Sequence, residues 1–210
     1  EAKKEAERVA MEAKKEAERV AMEAKKEARI LELAPIRESL SYESLKLKGG
    51  GTVVAWGNND HNQCDVPSGL TDVVGISAGL YHSLALKKDG RVVAWGFNPN
   101  NQCDVPSGLT DVAGISAGLS HSLALKKDGT VVAWGEKDRC DVPSGLTDVV
   151  AISAGGSLSL ALKNDGTVVA WGRNSSNESD VSSGLTDVVG IAGGDHSLAL
   201  KKDGTVVAWG

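Results

Sequence analysis

The sequence is poor in aromatic residues, with one Phe, two Tyr and five Trp among 210 residues. Its core must therefore be built mostly from Val, Leu, Ile and Ala. Three cysteines are present and no two form a Cys-x-x-Cys pair, so a zinc site has no support. There is no apolar run of eighteen residues, which excludes a membrane-spanning helix of ordinary length. The N-terminus is highly charged and contains no apolar signal-peptide segment. It does not begin with Met, which points to an upstream stretch removed or left outside this sequence. A net charge of −5 gives no general reason to expect nucleic acid as a partner. No Gly-x-Ser-x-Gly elbow, phosphate loop or His-Glu-x-x-His motif occurs. These absences lead us to expect no catalytic site, cofactor, bound metal or membrane partner, and a cytoplasmic location.

What the chain does have is repetition, at two different periods. Residues 1–29 read EAKKEAERVAM, EAKKEAERVAM, EAKKEAR. Ala2, Ala6, Val9, Ala13, Ala17, Val20, Ala24, Ala28 and Leu31 form an apolar stripe of eleven residues per three turns. With Glu, Lys, Ala and Arg dominant, this predicts a helix over 1–33, ended by Pro35. Pairs such as Glu1–Lys4 and Glu12–Lys15 support it as a solvated helix. A stripe of Ala buries little area, so strong dimerisation by the helix alone is not expected. Residues 34–50 read as a linker and a degenerate first repeat.

From residue 51 the period is nearly forty, marked by Trp56, Trp95, Trp134, Trp171 and Trp209. In the second copy three strands are predicted, at 73–77, 83–87 and 91–95. Lys88-Asp89-Gly90 joins the last two, and Asp-Gly is a strong hairpin signal. A short fourth strand could run through Cys-Asp-Val before each Pro. The unit is thus a three- or four-stranded antiparallel blade of the size a β-propeller uses. In Val92-Val93-Ala94-Trp95 both faces are apolar, so both must be covered. Blades stacked face to face achieve this, and stability then lies mainly at the boundaries between blades. The fold class is mainly β, with four intact blades and one degenerate one. In the degenerate blade, 42–48 aligns with 81–87.

The string Ala-Gly-x-x-His-Ser-Leu-Ala-Leu-x-x-Asp-Gly-x-Val-x-x-Trp-Gly, at 78–96 and 117–135, resembles the regulator of chromosome condensation repeat family in a compact bacterial-like form. The resemblance implies a propeller that binds proteins. Some members act as nucleotide exchange factors on a small GTPase, and a plant ultraviolet photoreceptor of the same fold uses clustered tryptophans. Family members resemble seven-bladed rings, whereas this sequence holds five blades at most. It has no insertion that could act as an exchange wedge, and its tryptophans stand one per blade. Both departures argue against those two activities.

Residues that recur in every blade read as scaffold. Cys64, Cys103 and Cys140 share one position with Ser179, and His82, His121 and His196 share one with Leu158. Replacement by Leu points to packing rather than metal binding. Asp72, Asp111, Asp148 and Asp187 precede strands and read as turn residues. The copies differ in two loops: one after Trp-Gly (58–63, 97–102, 136–139, 173–178), the other just before the His position (80–81, 119–120, 156–157, 194–195). A repeated scaffold with variable loops is how repeat proteins build binding faces.

The candidate partner-binding residues are therefore Asn58, Asn59, His61, Tyr81, Phe97, Asn98, Asn100, Ser120, Lys137, Arg139, Arg173, Asn174 and Asp195. Tyr81 and Phe97 are the expected aromatic anchors. His61, in a variable loop, reads as simply exposed. We expect a non-catalytic protein-interaction scaffold that forms a homo-oligomer. Exchange on a small GTPase, or an engineered or duplicated array without a partner, are the alternatives. Four sound blades cannot close a standard ring alone. Closure between chains is favoured over a five-bladed monomer or a longer natural protein.

Overall fold

The computed structural model describes residues 50–210. The helix expected over 1–33 and the degenerate repeat at 34–48 lie outside the described residues. Among the described residues, twelve strands make four antiparallel sheets of three. The first blade comprises β1 (Val73–Ala78), β2 (His82–Lys87) and β3 (Val92–Gly96). The second is β4 (Val112–Ala117), β5 (His121–Lys126) and β6 (Val131–Gly135). A short helix, α1 (Lys137–Cys140), leads to β7 (Val149–Ala154), β8 (Leu158–Lys163) and β9 (Val168–Gly172). The fourth is β10 (Val188–Gly193), β11 (Ser197–Lys201) and β12 (Val206–Trp209).

Each blade is a meander, with the middle strand paired on both sides. The hairpin between its last two strands closes as the Asp-Gly signal requires. In the second blade Asp128 Oδ1 accepts from Thr130 N at 3.0 Å and from Thr130 Oγ1 at 2.6 Å. Asp72, Asp111, Asp148 and Asp187 all have φ near 60°, between 58° and 61°. Asp tolerates this left-handed conformation better than most residues. There each aspartate turns its carbonyl to receive a hairpin N–H, as Asp111 O does from Lys127 N at 2.8 Å.

The possible fourth strand does not form, so the blades have three strands. The backbone around Cys64 is spent on local bonds instead: Asp65 N donates to Asn62 O, and Val66 N to Cys64 O. Asn62, Asn101 and Asn177 take φ of 60–64° there, which no strand accommodates.

Three of the four apolar clusters among the described residues straddle a blade boundary. Leu84, Leu86 and Val92 of the first blade pack with Val112, Ala117, Ala124 and Trp134 of the second. Leu123 and Leu125 meet Val149, Ala161 and Trp171 at the next boundary, and Leu162 meets Val188 and Ala199 at the third. Large Leu side chains thus sit against the Ala and Val of the following blade. The alternation of large and small residues in Ser-Leu-Ala-Leu is therefore the packing code of the array.

Polar bonds follow the same boundaries. Ser77 Oγ accepts from Ala117 N at 3.0 Å, Ser116 Oγ from Ala154 N at 2.9 Å, and Ser153 Oγ from Gly193 N at 2.9 Å.

Candidate functional site

The variable loops stand on a fixed joint. Trp134 Nε1 donates to Gln102 O at 2.9 Å, and Ser122 Oγ donates to the same carbonyl at 2.9 Å. One backbone oxygen at the end of a loop is thus held by two side chains of the next blade. Trp95 and Ser83 hold Gln63 O in this way, Trp171 and Ser159 hold Arg139 O, and Trp209 and Ser197 hold Glu178 O. At the Gln102 and Arg139 joints both donors are buried, so an unmade bond there carries the full desolvation cost.

A second device folds each long loop onto itself. Asn98 Oδ1 accepts from Cys103 N at 2.7 Å while its Nδ2 donates to Asp104 Oδ1 at 2.8 Å. Asn59 and Asn174 make the same pair of bonds. These three candidates therefore shape their loops with both ends of the amide. Asn58 is likewise engaged, with Asp60 and Gln63.

The side chain at the joint adds a third tie. Gln63 Oε1 accepts from His61 N, Gln102 Oε1 from Asn100 N, and Glu178 Oε2 from Ser176 N. Backbone N–H groups, its own and that of Ser176, hold the Glu178 carboxyl below the usual glutamate range. Sequence reading missed this role of Gln63, Gln102 and Glu178. The signal was their common place one residue before the Cys or Ser position.

That Cys or Ser position is explained too. Ser179 Oγ donates to Arg173 O at 3.0 Å, and Cys103 Sγ reaches Phe97 O at 3.5 Å. Thiol and hydroxyl make the same bond. Burial, followed by the neighbouring acidic residue, pushes the thiols of Cys103 and Cys140 up to about 11.

On this frame the remaining variable residues come together blade by blade. His61, Tyr81 and Phe97 form a ring cluster: His61 to Phe97 is 4.3 Å between centroids, His61 to Tyr81 4.9 Å and Tyr81 to Phe97 5.7 Å. The reading of His61 as simply exposed is corrected, because its ring is half-buried between the two anchors. Leu80, exposed, adjoins Tyr81 in the chain. In the next blade Ser120 occupies the Tyr81 position and donates to Glu136 Oε2 at 2.6 Å. Arg139, buried, bonds both Ser120 and Glu136. Lys137 points from α1 into solvent. In the third, Arg173 and Asp195 line a shallow depression with Ser157, Ser175, Ser176 and Glu178. Equivalent places in successive blades thus present an aromatic, an ionic and a polar surface. Among the described residues, no three His, Cys, Asp or Glu gather as metal ligands would.

Known proteins set this architecture in context. No curated protein matches the chain in sequence. Among solved structures, Prp20p from Saccharomyces cerevisiae, reported with its binding properties to Gsp1p and histones, is 24% identical. The match covers 66% of this chain and 44% of that one, with a TM-score of 0.56. Yeast RCC1 (Prp20) bound to Kap60 matches at 24% identity over 75% of this chain and 45% of that one, TM-score 0.58. The ectodomain of the receptor kinase CR4 from Physcomitrella patens matches at 25% identity over 74% and 46%, TM-score 0.60. The chain thus spans less than half the length of these structures. The "Regulator of chromosome condensation (RCC1) repeat" pattern fits residues 73–102, 112–140, 149–178 and 191–210, one match to each blade and together just over half of the chain. With blade, joint and repeat in agreement, the chain belongs to the RCC1 repeat family of β-propeller proteins.

Proposed function

We propose that the chain is a non-catalytic interaction scaffold whose variable loops engage a protein partner, and that it associates with copies of itself. The observation that carries the first part is the His61–Tyr81–Phe97 cluster. Three rings gather on loops that the scaffold holds in place, and one of them, Tyr81, remains exposed. Rigid aromatic groups on ordered loops are the usual anchors of a protein interface, because little side-chain entropy is lost on binding. Prp20p, of the same fold, was characterised by its binding to Gsp1p and histones, and yeast RCC1 by its complex with Kap60, so the fold is one that serves protein binding elsewhere.

The test pairs two preparations. Immobilised full chain and the Tyr81→Ala/Phe97→Ala variant are exposed to the same source-cell extract. Partners retained by the first and lost by the second, with unchanged melting of the variant, support the reading. Identical retention by both would overturn it.

A further inference from the structure

The charges of the described residues are divided unevenly between the two ends of the blades. The turn between the first two strands of a blade lies at the same end as the loop after its third strand, because His82 pairs with Gly96 and His121 with Gly135. Backbone bonds tie these turns into one row: Leu80 N donates to Gly118 O at 3.2 Å, Leu119 N to Gly155 O at 3.3 Å and Gly156 N to Gly194 O at 2.8 Å. The turns and the variable loops therefore form one face. Over 58–66, 80–81, 97–105, 119–120, 136–142, 156–157, 173–181 and 194–195 it carries nine acidic and three basic residues. The opposite face, made of the Asp-Gly hairpins and the residues that enter each first strand, carries eight of each. The whole formal net charge of the described residues thus lies on the loop face.

Local bonding widens the difference. At the hairpins carboxylates meet cations: Asp89 lies 2.7 Å from Arg91 Nη2 and Asp128 lies 3.0 Å from Lys126 Nζ. On the loop face Asp65, Asp104 and Asp180 are held by the neutral amides of Asn59, Asn98 and Asn174. A neutral donor fixes a carboxylate and leaves its charge uncancelled. Asp138 and Asp195 are exposed, while the basic Arg139 is buried in its ion pair with Glu136. Like charges held on ordered loops add to a single field, screened only over about 8 Å at physiological ionic strength.

We propose that the protein engaged by this face presents a basic surface, rich in Lys and Arg, with an apolar side chain that seats on the His61–Tyr81–Phe97 cluster. This rests on the partner binding proposed above and gives the partner its chemistry. Charge complementarity steers such a surface onto the loops and turns phosphate-rich partners away. The ring cluster supplies the anchor that charge alone lacks. A second copy of this chain is a poor counterpart. Its hairpin face is neutral in sum, its loop face is acidic, and its residues 1–32 hold nine acidic and nine basic side chains. The occupant is therefore a different protein.

Fluorescence anisotropy tests this with the full chain and three labelled peptides. One alternates Lys and Ser about a central Phe, one has every Lys replaced by Glu, and one has the Phe of the first replaced by Ala. The Lys peptide should bind roughly tenfold or more tighter than the Glu peptide at low salt, and weaken as salt rises. Asp138→Asn/Asp195→Asn should weaken it by roughly threefold to tenfold. Asn164→Lys/Thr167→Arg adds the same charge to the opposite face, with residues that Lys88 and Arg91 already supply in the first blade. It should change binding by no more than about twofold, since that face is remote from the loops. Equal or absent binding of the Lys and Glu peptides, or equal weakening by both variants, would overturn the basic partner. The anchor is judged separately. The advantage of the Phe peptide over the Ala peptide should vanish in Tyr81→Ala/Phe97→Ala. An advantage that persists there overturns the rings as the anchor and leaves the charge preference standing.

Discussion

His82 Nε2 lies 2.9 Å from Ser122 Oγ across the first blade boundary, and His121 Nε2 lies 3.0 Å from Ser159 Oγ across the second. Each serine spends its proton on a loop carbonyl. The imidazole must therefore donate from Nε2, which leaves Nδ1 buried and unpartnered. A second proton on Nδ1 would have nowhere to point.

This predicts an acid-sensitive array. Burial lowers both histidines from 6.5 to about 4, with the charge of Arg139 adding to the effect at His121. Between those values the unfolded chain takes up protons that the folded chain refuses. Stability is therefore complete above pH 6.5 and declines as the pH falls towards 4, by up to about 3 kcal/mol for each histidine. The urea midpoint at pH 4.5 should lie below that at pH 7. In a His82→Leu/His121→Leu variant this part of the difference should vanish. The fold should persist, because Leu158 already fills the same buried place in the third blade.

Replacing Tyr81 and Phe97 by Ala should leave the melting temperature within a few degrees and weaken partner binding by about 2 kcal/mol or more. The rings pack on one another and on His61 at the loop surface and belong to none of the blade-boundary clusters. Calorimetric titration with the captured partner measures the loss. An unfolded double variant would show that these rings are core.

The joint can be dissected at Trp134. Trp134→Phe keeps most of the buried ring and removes one donor, while Gln102 O retains its bond from Ser122. A loss of about 1 kcal/mol is expected, against roughly 3–5 kcal/mol for Trp134→Ala. Urea unfolding reads both, and equal losses would show that the Nε1 bond contributes nothing.

Cys103→Ser should be close to neutral, because Ser179 makes the same bond in the fourth blade. The Cys103 and Cys140 thiols, held at about 11 rather than 9.0, should react with iodoacetamide at pH 8 on the order of a hundredfold more slowly than an ordinary thiol. Mass spectrometry of a timed labelling series checks it, and rapid complete modification would contradict the burial seen here.

Much of this architecture could be read from residues alone, and the reasons are physical. Strands expected at 73–77, 83–87 and 91–95 stand at Val73–Ala78, His82–Lys87 and Val92–Gly96. Large and small side chains alternate in register with the pleat, and Asp89-Gly90 pins the hairpin between them. The fourth strand was illegible because Asn59 and its equivalents divert the backbone with side-chain bonds that periodicity does not reveal. His61 was misread for a related reason: its ring partners lie 20 and 36 residues away, and nothing local marks the meeting. Asn59, Asn98 and Asn174 looked like surface variables but are loop staples, detectable only in their shared offset from the Cys or Ser position.

The joint under each loop grips a carbonyl, and every residue type has one. Position 63 is Gln, 102 Gln, 139 Arg and 178 Glu, yet the same Trp and Ser hold all four. Mutation can therefore rewrite what a loop displays, from aromatic to charged to polar, without loosening its attachment. At Gln63, Gln102 and Glu178 the side chain is itself tied into the loop, so variation falls to the other loop residues while the blades stay fastened through the main chain.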